Sequence, residues 1–535
     1  MNTTTDNLLS QRNSDQFNPT IGAKIEMEMY PGKQTFVDDF FIESMLGTRR
    51  VFNPSKKLTI ENPIHTVLPE MPWEEGEAMG PIIYDENHQT FHMYYQGIEG
   101  RICVLTSAEG TKWVRPELGL VDFEGSKANN IMNWPNDCPA IGTILWDPHA
   151  TDEIYRWKRI HHFPHQGVWQ ALHSKDGYNW QHYPPENHNH QKQFFGFGSP
   201  KETFGGPISP DASYVLYAQR GSSRRTRVLG RRDSNDSLNW SGMHTVIDQD
   251  LKDPLGTEFY SAGFDIANRT DGGLRIIMLN TYLTDLSEPY AIEDPENYWG
   301  ESKGPTVIPA RIDGFVEPQL AASRNTVSWT RYRQPFIQRG QPSAWDWGQV
   351  YASGPVMHKG KLLFFYNGSN LTHNGRSPRP YEKAYATTVK RGIGLAMLRP
   401  DGYVSIEADS YASGRLTTHR FRQESGGKLT VNADASAGEL RCEVLEDTGK
   451  PIPGFTVSDC DPIRCDTLKG NLSWNGVPGW PEVSQERQAR YPDLPKSEFY
   501  IKLRFYIVSG TKLYAVTLNP PEVTMWQVKI KGHID

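Results

Sequence analysis

The chain has 535 residues, 22% of them charged and 11% aromatic, with a formal net charge of −7. That length exceeds one ordinary core and predicts more than one domain. Mild acidity without a long basic run argues against nucleic acid or an anionic membrane as partner, and no apolar stretch reaches the length of a membrane span.

Residues 1–22 are polar and predict a loose N-terminal arm. They carry no charged-then-apolar leader pattern, so the expectation is a cytoplasmic protein. Five cysteines (Cys103, Cys138, Cys442, Cys460 and Cys465) are sparse and odd in number, which fits a reducing compartment. Strand-like runs begin at Thr35–Glu43 and then come in five groups. The first is Gly80–Tyr84, Thr90–Gln96 and Arg101–Thr106. The second is Ala140–Trp146, Tyr155–Ile160 and Val168–His173. The third is Gly205–Ile208, Ser213–Gln219 and Arg225–Arg231. The fourth is Phe259–Ile266, Leu274–Tyr282 and Phe315–Ala322. The fifth is Val350–Met357, Lys361–Tyr366 and Ile393–Arg399. Each group predicts one antiparallel blade.

Four groups close on one phrase, Ser-x-(Asp/Glu/Asn)-x-x-x-Trp: Ser107 to Trp113, Ser174 to Trp180, Ser234 to Trp240 and Ser323 to Trp329. The third residue can hydrogen-bond backbone two residues on and fix a turn. Gly110 and Gly177 supply positive φ, and the Trp can wedge between neighbouring sheets. The phrase therefore predicts structural stitching rather than chemistry. In the fifth group it becomes Pro400-Asp401-Gly402-Tyr403, which keeps the turn but not the Ser or Trp. Such recurrence in strand-rich sequence predicts a propeller or other repeat array. Long interruptions at 284–305 and 370–390 are of the kind that carry function. They, or the C-terminal region, are where a second copy of the chain would dock.

After residue 408 the character changes. Short strands such as Leu416–Phe421, Glu439–Leu445, Phe499–Val508 and Lys512–Thr517 predict a β-sandwich over 409–535. The expected fold is all-β: a five-bladed β-propeller over 23–408 followed by a C-terminal β-sandwich.

Innermost strands of propeller blades converge on one funnel, and acids stand at the start of each here: Glu74, Glu75 and Glu77, then Asp137, Glu202, Glu258 and Asp346. Glycosidic cleavage needs one protonated and one ionised carboxyl, and crowding of like charges separates the two roles. Trp73, Trp169, Trp345 and Trp347 would stack on sugar rings. Histidines 161, 162, 165, 182, 188 and 190 have no ligand spacing on one regular element, and Cys460 and Cys465 lack a second ligand pair, so no metal or cofactor is expected. The run Arg220–Arg232 reads as an exposed hairpin, or as a reader of an anionic sugar such as a uronate or sulfate.

The sequence resembles the five-bladed propeller glycosidases, the superfamily of glycoside hydrolase families 32, 68, 43 and 62, and is most similar to uncharacterised relatives of family 32. Glu77-Ala-Met-Gly-Pro-Ile-Ile-Tyr84 followed by Phe91-His-Met-Tyr-Tyr-Gln96 resembles that family's first-blade Asn-Asp-Pro-Asn-Gly motif and following strand. Asn136-Asp137-Cys-Pro resembles its Arg-Asp-Pro motif and Glu202-Thr-Phe its Glu-Cys motif, though none of the three motifs is intact. Asp253-Pro-Leu-Gly-Thr-Glu258-Phe-Tyr260-Ser-Ala262 resembles a stretch that lines its sugar pocket. The resemblance implies a glycoside hydrolase acting on an oligosaccharide or glycoside, with Glu202 as general acid, Asp137 stabilising the transition state and Glu77 as nucleophile or base. Asp38, Asp39 and Glu74 are rival first-blade acids. Asp39, Glu74, Trp169, Glu258, Tyr260, Asp346 and Gln349 are the expected substrate-binding residues. A sialidase-like hydrolase with converging arginines and a carbohydrate-binding propeller without turnover are the alternatives.

Overall fold

In the computed structural model the described residues are 32–58, 62–66, 69–138, 141–147, 150–163, 168–184, 203–205, 214–221, 226–254, 256–264, 274–284, 290–291, 307–308, 314–324, 327–342, 344–373, 390–409, 413–424, 427–479, 489–490, 492 and 498–518. They are all-β, with only brief helical turns, and none of their helices is long and apolar enough to cross a membrane.

Antiparallel sheets follow one another along the chain. The first is Glu74–Asp85, Thr90–Gly97 and Ile102–Ser107. The second is Thr143–Trp146, Trp157–Phe163, Val168–Ser174 and Gln181–His182. The third is Thr203–Gly205, Tyr214–Gly221, Arg227–Ser234 and His244–Ile247. A fourth unit, Thr257–Phe264, Arg275–Thr284, Gly314–Ser323 and Thr330–Pro335, shares a sheet with a fifth, Gln349–Ala352, Lys361–Ser369 and Arg391–Leu398. One parallel partner pair, Val316 with Gln349, joins them. The outer edge of the fifth unit is completed from the other end of the chain, by Lys56–Lys57 and His65–Thr66.

Apolar clusters lie between consecutive sheets and close on themselves. Tyr94, Ile102 and Val104 of the first sheet pack on Ile144, Trp146 and Leu172 of the second. Leu145 and Ile160 of the second meet Leu216 of the third, and Val215, Tyr217 and Leu229 meet Phe259, Ile277 and Leu279 of the fourth. Met278 and Leu320 of the fourth meet Val350, Leu362 and Phe364 of the fifth. Phe365, Ile393 and Leu395 of the fifth then return to Phe91, Met93 and Leu105 of the first.

The repeated phrase is the wedge in these seams. Trp113, Trp180, Trp240 and Trp329 each pack into the cluster shared with the preceding sheet, the first of them into that with the fifth unit. Tyr403 takes the equivalent place between the fourth and fifth. The turn that aims each Trp is capped as its residue types require. Ser174 Oγ accepts from Gly177 N at 2.9 Å, and Asp176 Oδ1 accepts from Tyr178 N and Asn179 N at 2.8 Å. Ser234 and Asp236 repeat that turn, with Leu238 N and Asn239 N as donors. At Gly177, φ is +80°, and a Cβ would stand 3.0 Å from both Trp157 and the Tyr94 hydroxyl, so backbone freedom and close approach both demand glycine there.

Two further sheets form a sandwich around a core that includes Phe41, Leu416, Val431, Val444, Leu503 and Val516. One has Thr48–Phe52, Val404–Ala408, Lys512–Leu518, Leu429–Asp434 and Asp466–Asn471, with Gly32–Thr35 also paired to Lys512–Leu518. The other has Ile42–Leu46, Gly414–Thr418, Glu498–Ile507 and Phe421–Glu424, with Leu440–Glu446 also on Glu498–Ile507. Residues 32–52, expected from sequence with the blades, pair instead with these C-terminal strands. Their own strands are short and gain partners only from a segment several hundred residues away, which local pattern does not register.

Candidate functional site

The innermost strands of the units begin at one end of the ring: Glu74–Asp85, Thr143–Trp146, Thr203–Gly205, Thr257–Phe264 and Gln349–Ala352. Glu74–Asp85 lies beside Thr143–Trp146, that strand beside Thr203–Gly205, and that in turn beside Thr257–Phe264. The best defined constellation at that end spans the third, fourth and fifth units. Arg227, first residue of its strand, donates from Nη1 to Glu258 Oε2 at 2.5 Å across the seam between the third and fourth units. Its guanidinium lies over the Tyr260 ring at 5.0 Å and the Tyr282 ring at 5.9 Å. His373, from the segment after Lys361–Ser369, packs on both tyrosines with centroids at 4.8 and 5.0 Å. Burial works against the Arg227 charge, but Tyr260 and Glu258 more than offset it and its pKa is raised.

Local sequence sets this arrangement. The Asp253 side chain is fully buried and takes a bidentate pair of bonds from Arg331, at 2.9 and 2.8 Å, with a further bond from Arg333 at 3.1 Å. It also accepts from Asp250 N. The loop is thereby fixed just before the strand that carries Glu258. That strand has a register shift between Phe259 and Ser261, and such bulges re-aim side chains. Phe259 turns into the core shared with the third sheet while Tyr260 joins Tyr282 and Val316. Gln349 opens the innermost strand of the fifth unit and donates from Nε2 to Leu371 O at 2.9 Å and Thr372 O at 2.8 Å, holding the segment that delivers His373.

The remaining expected residues are dispersed. Glu77 lies in a bulged stretch of the innermost strand of the first sheet, where pairing jumps from Glu74–Gly97 to Met79–Tyr95; its side chain is outside the described residues. Glu202 is also outside them, directly before Thr203–Gly205, and so is the side chain of Trp169, the second residue of Val168–Ser174.

Asp137 stands on the exposed turn ahead of Thr143–Trp146, with Oδ1 2.9 Å from His182 Nε2. That bond, with the nearby imidazole, holds its pKa below the usual carboxylate range. Its turn is tied down by Trp134 Nε1 to Cys138 O at 2.6 Å and Gln170 Nε2 to Asp137 O at 3.1 Å.

Three expected binding residues are engaged elsewhere. Glu74 is buried and accepts from Arg115 Nε and Nη2 at 2.8 and 3.0 Å, from the Tyr95 hydroxyl at 2.5 Å, and from Glu70 N and Met71 N. Burial pushes its pKa up, yet these hydrogen bonds bring it below the usual value. Asp346 is buried between Lys57 Nζ at 2.5 Å and the Tyr366 hydroxyl at 3.0 Å, so it ties the outer strand of the fifth unit to the segment before Gln349. Asp39 sits in the turn between Gly32–Thr35 and Ile42–Leu46 of the sandwich, with a side chain 86% exposed and paired to Arg50. These carboxylates stand where sequence position put them in the chain, but their cationic partners come from elsewhere in the fold.

Arg227, Tyr282 and His373 were not among the expected site residues. The basic run containing Arg227 and the long interruption opening near His373 were their only signals.

No family profile matches the chain, and no curated protein matches it. Several solved structures are similar to it. A glycosyl hydrolase from Bacteroides ovatus is 12% identical, aligning 65% of this chain with 95% of that one at a TM-score of 0.40. A Bombyx mori GH32 β-fructofuranosidase is 11% identical over 87% of this chain and 96% of that one, at a TM-score of 0.35. An exo-β-1,3-galactanase from Phanerochaete chrysosporium, solved with β-1,3-galactotriose, is 8% identical over 88% and 100%, at a TM-score of 0.31.

Proposed function

We propose that this protein is a glycoside hydrolase with a five-bladed propeller and a family 32-like site at the end of the ring where the innermost strands begin. One observation carries the reading. Consecutive sheets close by packing, and at their converging upper ends a carboxylate–guanidinium pair, Glu258 and Arg227, rests on aromatic rings. That is a polar, directional surface over an apolar base, the combination that binds sugar hydroxyls and ring faces.

In this reading Glu202 donates the proton to the leaving oxygen and Glu77 acts as nucleophile or as base for water. Asp137 stabilises positive charge in the oxocarbenium-like transition state. Its depressed pKa suits that role, because it remains ionised where an acid catalyst would need its proton. Glu258 and Arg227 line the sugar subsite, with Tyr260 beneath them.

A screen of aryl furanosides, aryl pyranosides and plant or algal oligosaccharides, run on wild type beside Glu202→Gln and Asp137→Asn, tests the proposal. Wild type should turn over one class, and each variant should lose about a hundredfold or more in kcat. Near-normal turnover in both variants would sink the assignment. Sugar binding without wild-type turnover would make the protein a binding propeller instead.

A further inference from the structure

We infer that Asp137, Cys138 and His182 form a binding site for a zinc-like divalent cation on the upper rim of the second sheet. One ligand atom from each lies within 4.8 Å of the others. They come from two segments, the turn before Thr143–Trp146 and the outer strand Gln181–His182, so an ion would cross-link the inner and outer edges of one sheet.

The donor set is that of a borderline-soft ion: one thiolate, one imidazole and one carboxylate. Thiolate and carboxylate together neutralise a divalent charge, and no second acid is required. Arg159 is fully buried beside Cys138, with Nε fixed on Ile141 O at 2.9 Å. Burial opposes the Cys138 thiolate and the Arg159 charge favours it, the outer-sphere support that thiolate ligands use.

The backbone of the turn is already held by Trp134, Gln170 and a Cys138 N to Pro135 O bond of 3.0 Å, so little ordering remains on binding. Cys138 is buried, whereas the Asp137 and His182 side chains are 66% and 43% exposed. The ion would therefore have an open outer face, leaving a fourth position for water. Asp137 is also the carboxylate assigned to the sugar above. A bound ion and a bound sugar would compete for it, a consequence that rests on the hydrolase reading, whereas ion binding itself does not.

The test is calorimetric titration of Zn2+ into the chelator-treated full chain near neutral pH, with Co2+ as a spectroscopic probe. Wild type should bind one ion, and the Co2+ form should show a thiolate-to-cobalt charge-transfer band. Cys138→Ser should abolish that band, and Cys138→Ser and His182→Gln should each weaken binding by about tenfold or more. Cys465→Ser, which removes the exposed thiol of the sandwich, should leave binding unchanged. His182 is exposed, so His182→Gln keeps the fold and guards against loss through misfolding. Absence of saturable binding in wild type, or unaltered affinity in His182→Gln, would overturn the site. If Zn2+ binds but leaves glycoside turnover unchanged, the site stands and the role assigned to Asp137 in hydrolysis falls.

Discussion

Arg227 on the third sheet and Glu258 on the fourth meet at 2.5 Å across the seam between two units, above Tyr260. Neither residue has a comparable partner on its own strand, so the pair exists only once the two sheets have packed. Arg227→Ala is expected to lower kcat/KM by about tenfold or more, chiefly through KM, because it removes a binding fork without touching the reacting carboxylates. Arg227→Lys should recover little of the loss, since an ammonium does not reproduce the planar fork. Steady-state kinetics on the substrate found by screening checks both. A fall confined to kcat would place Arg227 in the chemistry instead.

Glu74 separates scaffold from catalysis. Its side chain is 4% exposed and all its acceptors are taken. Glu74→Gln should destabilise the fold by about 3 kcal/mol, because Arg115 is left beside a neutral group. Turnover per folded molecule should stay near wild type. Urea unfolding together with active-site-normalised rates decides it. The native pKa is lowered from 4.5, so this carboxylate's contribution is present above that value and is lost as pH falls through the native pKa.

His92 gives a second acid-sensitive element. It is 2% exposed and stacked between Trp157 and Tyr178, with centroids at 5.0 and 5.1 Å. Burial lowers its pKa from 6.5 to about 4; Asp85 and Asp176 oppose the shift and His88 adds to it. The unfolded chain therefore takes up a proton before the native state does. Stability from this residue is complete above about pH 6.5 and declines by up to about 3 kcal/mol as pH falls towards 4. Denaturant midpoints near neutrality and near about pH 5 should differ more for wild type than for His92→Gln. Equal differences would remove His92 from the explanation.

The Trp wedges should be costly to cut. Trp180→Ala opens the seam between the first and second sheets and is expected to cost about 3–5 kcal/mol. Tyr403→Ala should cost a similar amount, because Tyr403 fills the corresponding seam between the fourth and fifth units. Thermal and urea melts measure both. A mild Tyr403→Ala effect beside a severe Trp180→Ala effect would show that the fifth position is not equivalent.

How far the sequence was legible follows from the range of the interactions involved. The Ser-x-acid-x-x-x-Trp turn is local: Ser174, Asp176, Gly177 and Trp180 contact one another within a few residues, so residue type alone announces it. The carboxylates are another matter. Glu74 is claimed by Arg115, Asp346 by Lys57 and Asp253 by Arg331, partners 41, 289 and 78 residues away. A rule based on position before a strand could find these acids but not tell an occupied acid from one facing the mouth. Glu258 was named from its motif, yet the Arg227 that completes it was legible only as part of a basic run. Strand order failed for the same reason where Gly32–Thr35 finds its partner at Lys512–Leu518 and where Lys56–Lys57 completes the fifth unit.

That last pairing has a consequence for the order of assembly. The chain leaves the sandwich at Phe52 and rejoins it at Val404, and the two crossings are one hydrogen bond apart, Asn53 N to Tyr403 O at 2.9 Å. The whole ring is thus an insertion between two strands of the other domain. On the ribosome, Gly32–Thr35, Ile42–Leu46 and Thr48–Phe52 emerge before the ring, but the strands they pair with are made only after it. These early strands wait as unpaired edges, which are prone to mispairing, while the ring, rich in contacts between neighbouring strands, can condense ahead of them. Glu498–Ile507 and Lys512–Leu518, made after the ring, then bring these earlier strands in.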